Sequence, residues 1–292
     1  MSIVSQLFEH GLISYNFPIT TEYETILGSH AYGLATETSD IDIFSFCIPP
    51  IELIFPSSFG KIHGFSTAIP TFTGYYPSHI MYQNKSHDLT IYNIVHYFRL
   101  LLESNPNILD SLFSSQDCIL NQTKIGKMVR DNRSLFVTKL CKKTYLGYAY
   151  KQKHKLQAKW NPDSLSKRRI LIEKYGYDVK YAYNLVRLVN EARQILQSGQ
   201  IDLHYRKKDL QDIRTGAWSK HEVLNWFADQ EKELHQLCKS CDLPEMPDEV
   251  KITQLLFDCL EEYFGDISKL CIRKGSYDNF RQYSNLDNQE RI

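Results

Sequence analysis

The sequence predicts an α/β protein, with a mixed sheet and flanking helices to about residue 135 and an α-helical part over residues 136–292. Three observations carry this. Short apolar runs that read as strands (Tyr23–Leu27, Ile41–Ile48, Met81–Tyr92) fall in the first third of the chain. From Lys139 onward the composition shifts, and apolar residues recur at the three- and four-residue spacing of helices. Between the first two strands lies the stretch that organises the chain, Gly28-Ser29-His30-Ala31-Tyr32-Gly33-Leu34-Ala35-Thr36-Glu37-Thr38-Ser39-Asp40-Ile41-Asp42-Ile43.

Composition sets outer bounds. A chain of 292 residues can bury a large core and hold one or two domains. Lys plus Arg and Asp plus Glu are both 34, so no overall basic charge announces a nucleic-acid partner, although a local field can still serve one. Seven scattered cysteines without a secretory signal read as reduced thiols of a cytoplasmic protein. Cys238 and Cys241 form a lone Cys-x-x-Cys at a helix end, without the second pair a zinc site usually has. No apolar run approaches membrane-spanning length.

In order, residues 1–18 read as a short amphipathic helix (Val4, Leu7, Phe8, Leu12) ended near Asn16–Pro18. Tyr23–Leu27 is a strand, and Ile41–Ile48 is a second one, stopped by Pro49-Pro50. Residues 49–80 are rich in Pro, Ser, Gly and aromatics (Phe55, Phe59, Phe65, Phe72, Tyr75, Tyr76) and too long for an idle connection. They read as a surface excursion with a hairpin or as a loop over the aspartates. Met81–Tyr92 is a strand carrying Asp88, and Tyr92–Glu103 is a helix closed by Ser104-Asn105-Pro106-Asn107. Gln122–Val137 reads as an amphipathic helix bridging to the second part.

The chemistry begins with Asp40 and Asp42. In a strand, residues two apart point to one face, about 7 Å apart at Cα, so these carboxylates project together while Ile41 and Ile43 enter the core. Such a pair can share a hard cation such as Mg²⁺. The turn at Gly28-Ser29 offers backbone N–H groups to an anion. A phosphate cradle beside paired carboxylates suits metal-dependent phosphoryl or nucleotidyl transfer.

These residues carry a resemblance. The Gly-Ser turn, short spacer and Asp-x-Asp strand resemble the nucleotidyltransferase superfamily that includes DNA polymerase beta. The fuller form, Gly28 to Ala35 through Ser39-Asp40-Ile41-Asp42-Ile43, is similar to a branch of predicted bacterial and phage nucleotidyltransferases, some associated with RNA repair. The resemblance implies a polymerase-beta-like domain over residues 1–135, with residues 136–292 contributing to nucleotide and acceptor binding. It also implies a third carboxylate on a neighbouring strand, completing the metal set and serving as base. Asp88 is the candidate, its alternative being a strand-end aspartate bonding the backbone. The Asn105-Pro106-Asn107 turn, the Tyr148-Ala149-x-x-Gln152 pattern and Leu210-x-x-Ile213-Arg214-x-Gly216 also match the family.

The nucleotide-binding candidates are Gly28, Ser29, Tyr32 and Ser39 from the motif, with Lys151, Lys180, Tyr183, Arg187 and Arg214 from the helical part. From Lys139 to Lys159, lysines interleave with Tyr145, Tyr148 and Tyr150, a pattern that suits a triphosphate, a stacked base or an RNA groove, or equally a solvated face; Lys167-Arg168-Arg169 adds charge. Asp178 reads as the N-cap of a long helix on which Lys180, Tyr183, Asn184 and Arg187 share one face. Relatives carry His where Tyr183 stands, so binding is the expectation there. Ile201–Tyr205 reads as a short strand-like run, Ser219–Cys238 and Asp248–Phe264 as helices, and the tail from Lys274 as polar.

The expected reaction is transfer of a nucleoside monophosphate from a nucleoside triphosphate, with Mg²⁺ (or Mn²⁺), to an acceptor hydroxyl, RNA and in particular a tRNA end standing first. A protein hydroxyl, as in AMP-transferring and toxin-like relatives, is the alternative acceptor. A nucleotide- or RNA-binding protein without catalysis is the alternative class.

Overall fold

A computed structural model describes residues 2–15, 17, 19–59, 71–158 and 168–267. Asn16, Pro18, Phe65, Lys159, Lys167, Cys271 and the tail from Lys274 lie outside them.

The described strands are β1 (Thr21–Leu27), β2 (Ile41–Cys47), β3 (Gly74–Tyr75), β4 (Ile80–Tyr82), β5 (Lys85–Asn93) and β6 (Ile119–Gln122). They form one mixed sheet in the order β3-β5-β2-β1-β6, with β4 paired to β5. The first helices are α1 (Ile3–Glu9), α2 (Gly28–Ala31), α3 (Ile51–Ile54), α4 (Ile94–Leu102), α5 (Pro106–Phe113) and α6 (Lys124–Asp131). The helical part holds α7 (Leu140–Gln157), α8 (Arg168–Tyr175), α9 (Val179–Ser198), α10 (Lys207–Arg214), α11 (Lys220–Ser240) and α12 (Glu249–Phe264).

Two ladders set the site. β1 runs antiparallel to β2, pairing Leu27 with Asp42. β2 runs parallel to β5, pairing Asp42 with Asp88 and Phe46 with Tyr92. One sheet face sends Ile43, Leu89 and Ile91 into a small core with α1, where Val4 and Leu7 are fully buried. The other face enters the main core, which runs continuously from Tyr23 through the α7–α9 pair to Leu260. Ser2 caps α1, and Ser2 and Thr21 both donate to the buried Glu24 carboxylate, fixing the N-terminus to β1.

Several boundaries depart from the sequence reading for local reasons. The first helix ends at Glu9, and Leu12 stands outside it, 44 % exposed, beyond a left-handed Gly11. Residues 81–92 are a hairpin and not one strand: Gln83 and Asn84 both take positive φ, the backbone of a tight primed turn that has no glycine to announce it. Asn93 still pairs in β5 and caps α4 through Val95 N–H, so the helix starts two residues later than periodicity places it. Asn105 likewise caps α5, with Pro106 at its first position. The segment 122–137 divides, because Thr123 caps α6 and a 3-10 turn follows at Arg133–Phe136. Among the described residues Ile201–Tyr205 pairs with no strand; Ile201 and Leu203 are buried in a turn leading to α10. Asp178 does cap α9.

The sheet and α6 meet at Gly126, where a Cβ would run into the Glu22 carbonyl oxygen of β1. Gly126→Ala should therefore lower stability by about 1–3 kcal/mol through overpacking, although alanine is the better helix former. Urea melts comparing the two proteins check this, and an unchanged or raised midpoint would contradict the close approach.

Candidate active site

A cleft of about 800 Å³ opens between the sheet and the helical part. Its floor is built by the two ladders. The chain leaves β1 at Leu27 and turns at Gly28, whose φ of +61° is the left-handed conformation that favours glycine. The Asp42 carboxylate lies directly over this glycine, in the space a Cβ would occupy. The same residue is thus demanded twice, by conformation and by the neighbour above it. Asp42 then faces Asp88 across the parallel ladder, while Asp40 stands exposed just before β2 begins.

Electrostatics follow from this crowding. Burial pushes the Asp42 carboxyl above its ordinary range, and the nearby Asp88 and Asp40 charges push the same way, against Lys180 and His30. Asp88 is held through Oδ1, which accepts the His79 N–H at 2.7 Å. The backbone-bonding alternative and the cleft-facing candidate therefore describe the same side chain. Ser39 lines the cleft and caps its own turn, accepting the Thr36 N–H at 2.8 Å.

The opposite wall comes from α9, where Lys180, Tyr183, Asn184 and Arg187 all line the cleft as their spacing predicts. Lys180 is exposed and electrostatically coupled to Asp42. Arg214, at the end of α10, sits over the Tyr183 ring at 5.6 Å and donates to the Leu34 carbonyl, tying α10 to the motif loop. Lys151 does not line the cleft; its ammonium lies over the Tyr148 ring at 4.8 Å on α7. The nucleotide-binding candidates Gly28, Ser29 and Tyr32 line it, and Asn107, named above only as part of the family's turn, joins them.

Arg187 departs from its expected part as a charge facing the ligand. Its Nη1 donates to Asp110 Oδ2 and to the Tyr32 hydroxyl, both at 2.7 Å, and to Glu191 Oε1 at 2.9 Å. Its guanidinium also lies over the Tyr32 ring at 4.5 Å. Tyr32 in turn donates to Asp110 Oδ2 at 2.9 Å. Burial opposes the Arg187 charge, but Glu191, Tyr32 and Asp110 outweigh it and hold the guanidinium firmly ionised. Burial pushes the Glu191 carboxyl well above the ordinary carboxylate range, against the pull of Arg187, and the Asp110 charge pushes the same way. Asp110 and Glu191 escaped sequence reading because they look like ordinary helix residues, 77 positions away and one turn away from the arginine they serve.

A Gly-Ser turn beneath Asp42, a third carboxylate across a parallel ladder and a helical wall opposite are the arrangement that the nucleotidyltransferase resemblance implies. The chain belongs to the RNA repair pathway DNA polymerase beta family (RlaP), which it matches over residues 11–257. It is 30 % identical over 141 residues to an uncharacterized 38.9 kDa protein of the nrdC–mobD intergenic region of Enterobacteria phage T4. That match takes in 48 % of this chain and only 39 % of the phage protein. A solved nucleotidyltransferase-like protein from Exiguobacterium sibiricum 255-15 aligns with 89 % of this chain and 79 % of its own, at 9 % identity and a TM-score of 0.30, a likeness too slight to bear on the fold.

Among the described residues no three carboxylate, imidazole or thiol groups are gathered closely enough to hold a metal ion as they stand, Cys238 and Cys241 included. The donor chemistry of the cleft nevertheless fits a hard divalent cation: Asp40, Asp42 and Asp88 offer oxygen alone, and their mutual repulsion is what a cation would relieve. No helix among the described residues is long and apolar enough to cross a membrane.

The Arg187 network yields a graded prediction. Arg187→Met strands two buried carboxyl groups and should cost about 3–5 kcal/mol. Glu191→Gln keeps an acceptor for the guanidinium and leaves Asp110 as its counter-charge, so it should cost less. Chemical denaturation of the two variants checks the order, which equal losses would contradict.

Proposed function

We propose that this protein is a nucleotidyltransferase that moves a nucleoside monophosphate from a nucleoside triphosphate to an acceptor hydroxyl, RNA before others, and releases pyrophosphate. The observation that carries the reading is the register that sets Asp42 over Gly28 and opposite Asp88, with Lys180 on the facing helix. Family membership supports the transferase class.

In this reading Asp40, Asp42 and Asp88 would hold Mg²⁺ or Mn²⁺, which when bound neutralises phosphate charge and polarises the α-phosphate. The turn at Gly28-Ser29 receives the distal phosphates, and Ser39 steadies the loop beside them. Tyr183 and the Arg214 guanidinium over its ring form the part of the wall that the nucleoside would meet. Asp88 takes the proton of the attacking hydroxyl. The oxygen so freed forms the new bond to the α-phosphorus as the bond to the bridging oxygen breaks, and the electron pair leaves with pyrophosphate. Lys180 meets the charge that gathers on that leaving group. Arg187 contributes indirectly, by keeping Tyr32 and the motif loop against α9.

Incubation with each α-labelled nucleoside triphosphate, Mg²⁺ and cellular RNA tests the reading. Label should enter RNA with the wild type, and Asp42→Asn should reduce transfer by roughly 10³-fold, the several kcal/mol that charge stabilisation at a metal site supplies. Its melting temperature should hold or rise, because a crowded buried carboxylate is removed. Asp42→Asn turning over like the wild type with every triphosphate would overturn the mechanism.

A further inference from the structure

The basic, tyrosine-rich helix α7 divides into two faces. Lys153 lies over Tyr150 at 5.4 Å and Phe227 at 4.9 Å, and Tyr150 donates to Glu231, so this pair joins α7 to α11. Tyr148 and Lys151, three residues apart on the other face, turn elsewhere. The Tyr148 hydroxyl accepts the Asn105 amide at 3.1 Å, and Asn107, two residues on, lines the cleft. Across from them β5 carries Asp88 and Tyr92 on one sheet face, the alternation that leaves Asp88, Thr90 and Tyr92 half-buried between fully buried neighbours.

Around Tyr92 the rings continue outward. Tyr76 meets it edge-on at 5.7 Å and is 50 % exposed, and His96 follows at 5.5 Å. Tyr148 is near enough to raise the Tyr92 phenol, which burial first and then Tyr76 and Tyr148 push up to about 12. Tyr92 lies about 13 Å from Asp88 by strand rise, a span of a few stacked nucleotides at about 3.4 Å each.

We propose that Tyr76, Tyr92, His96, Tyr148 and Lys151 form a stacking track that leads a single-stranded polynucleotide to the cleft, with its reacting end at Asp88. This rests on the transferase reading above for the direction of the strand, and on geometry alone for the track. Rings with polar rims accept bases of any sequence, and the ammonium held over Tyr148 stands where a phosphate passes. A duplex, with its bases already stacked, gains nothing from such rings. The half-exposed phenols and the lysine suit a nucleotide chain better than an apolar peptide, which would seek a groove of aliphatic side chains.

Fluorescence anisotropy with a short labelled homopolymeric RNA, the same DNA sequence and an RNA duplex tests the track. Tyr76→Ala and Lys151→Ala sit at the surface and should fold normally; together they should weaken single-strand binding about tenfold or more, leaving nucleoside triphosphate binding unchanged. Tyr76→Trp, which keeps a ring, should bind as the wild type does. Single strands should bind better than the duplex, and comparing RNA with DNA shows whether the sugar is read. Wild-type affinity in Tyr76→Ala/Lys151→Ala, or failure of the wild type to bind any single strand, would overturn the track. Label transfer measured in parallel separates the two ideas: transfer that is Asp42-dependent but indifferent to Tyr76 and Lys151 overturns the track and keeps the transferase. Single-strand binding that depends on the track without any transfer overturns the transferase and keeps the track.

Discussion

The cleft depends on one packing constraint: the Asp42 carboxylate occupies the space above Gly28. A side chain at position 28 would displace Asp42, and Asp42 is the residue that the parallel ladder brings against Asp88. The Gly28 turn and the strand that carries Asp42 are therefore one object. Changing either end moves both. The exposure of Asp40 and the crowding of Asp42 follow from the same geometry, one carboxylate reaching into solvent and the other held where its charge is costly without a counter-ion.

The second half of the protein secures this object from above. Arg187 on α9 grips Tyr32, one turn beyond Gly28, and Arg214 grips Leu34 two residues later. Both contacts join helices that are 155 and 180 residues distant in sequence to the motif loop. Two carboxyls share the Arg187 guanidinium, and burial pushes both above their ordinary range. A buried charge network of this kind adds little net stability but punishes misplacement heavily, which suits a contact whose task is to fix where the cleft walls stand.

Much of the site was legible because its signals are local. Asp40 and Asp42 alternate with isoleucines, Asp88 lies in a run of strand character, and Asp178 stands where a helix must be capped. The spacing of Lys180, Tyr183, Asn184 and Arg187 alone put them on one wall. What escaped depends on partners far away in sequence. Arg187 reads as a ligand-facing cation until Asp110, which the sequence does not mark, is found fully buried beside it. The β4–β5 turn escaped because Gln83 and Asn84 adopt left-handed backbone without glycine, and Ile201–Tyr205 looks like a strand but meets none among the described residues. Lys151 was singled out for its composition, yet helical phase turns it away from the cleft and toward Tyr148.

The most direct test of the central claim is calorimetric titration of a non-hydrolysable nucleoside triphosphate analogue into the protein, with Mg²⁺ and again with a chelator. The account predicts binding that requires the divalent ion and is lost in Asp40→Asn/Asp42→Asn, while the fold, by circular dichroism, is retained. Equal binding in the chelator, and in the doubly substituted protein, would contradict it, because Asp40 and Asp42 would then have no part in holding the nucleotide.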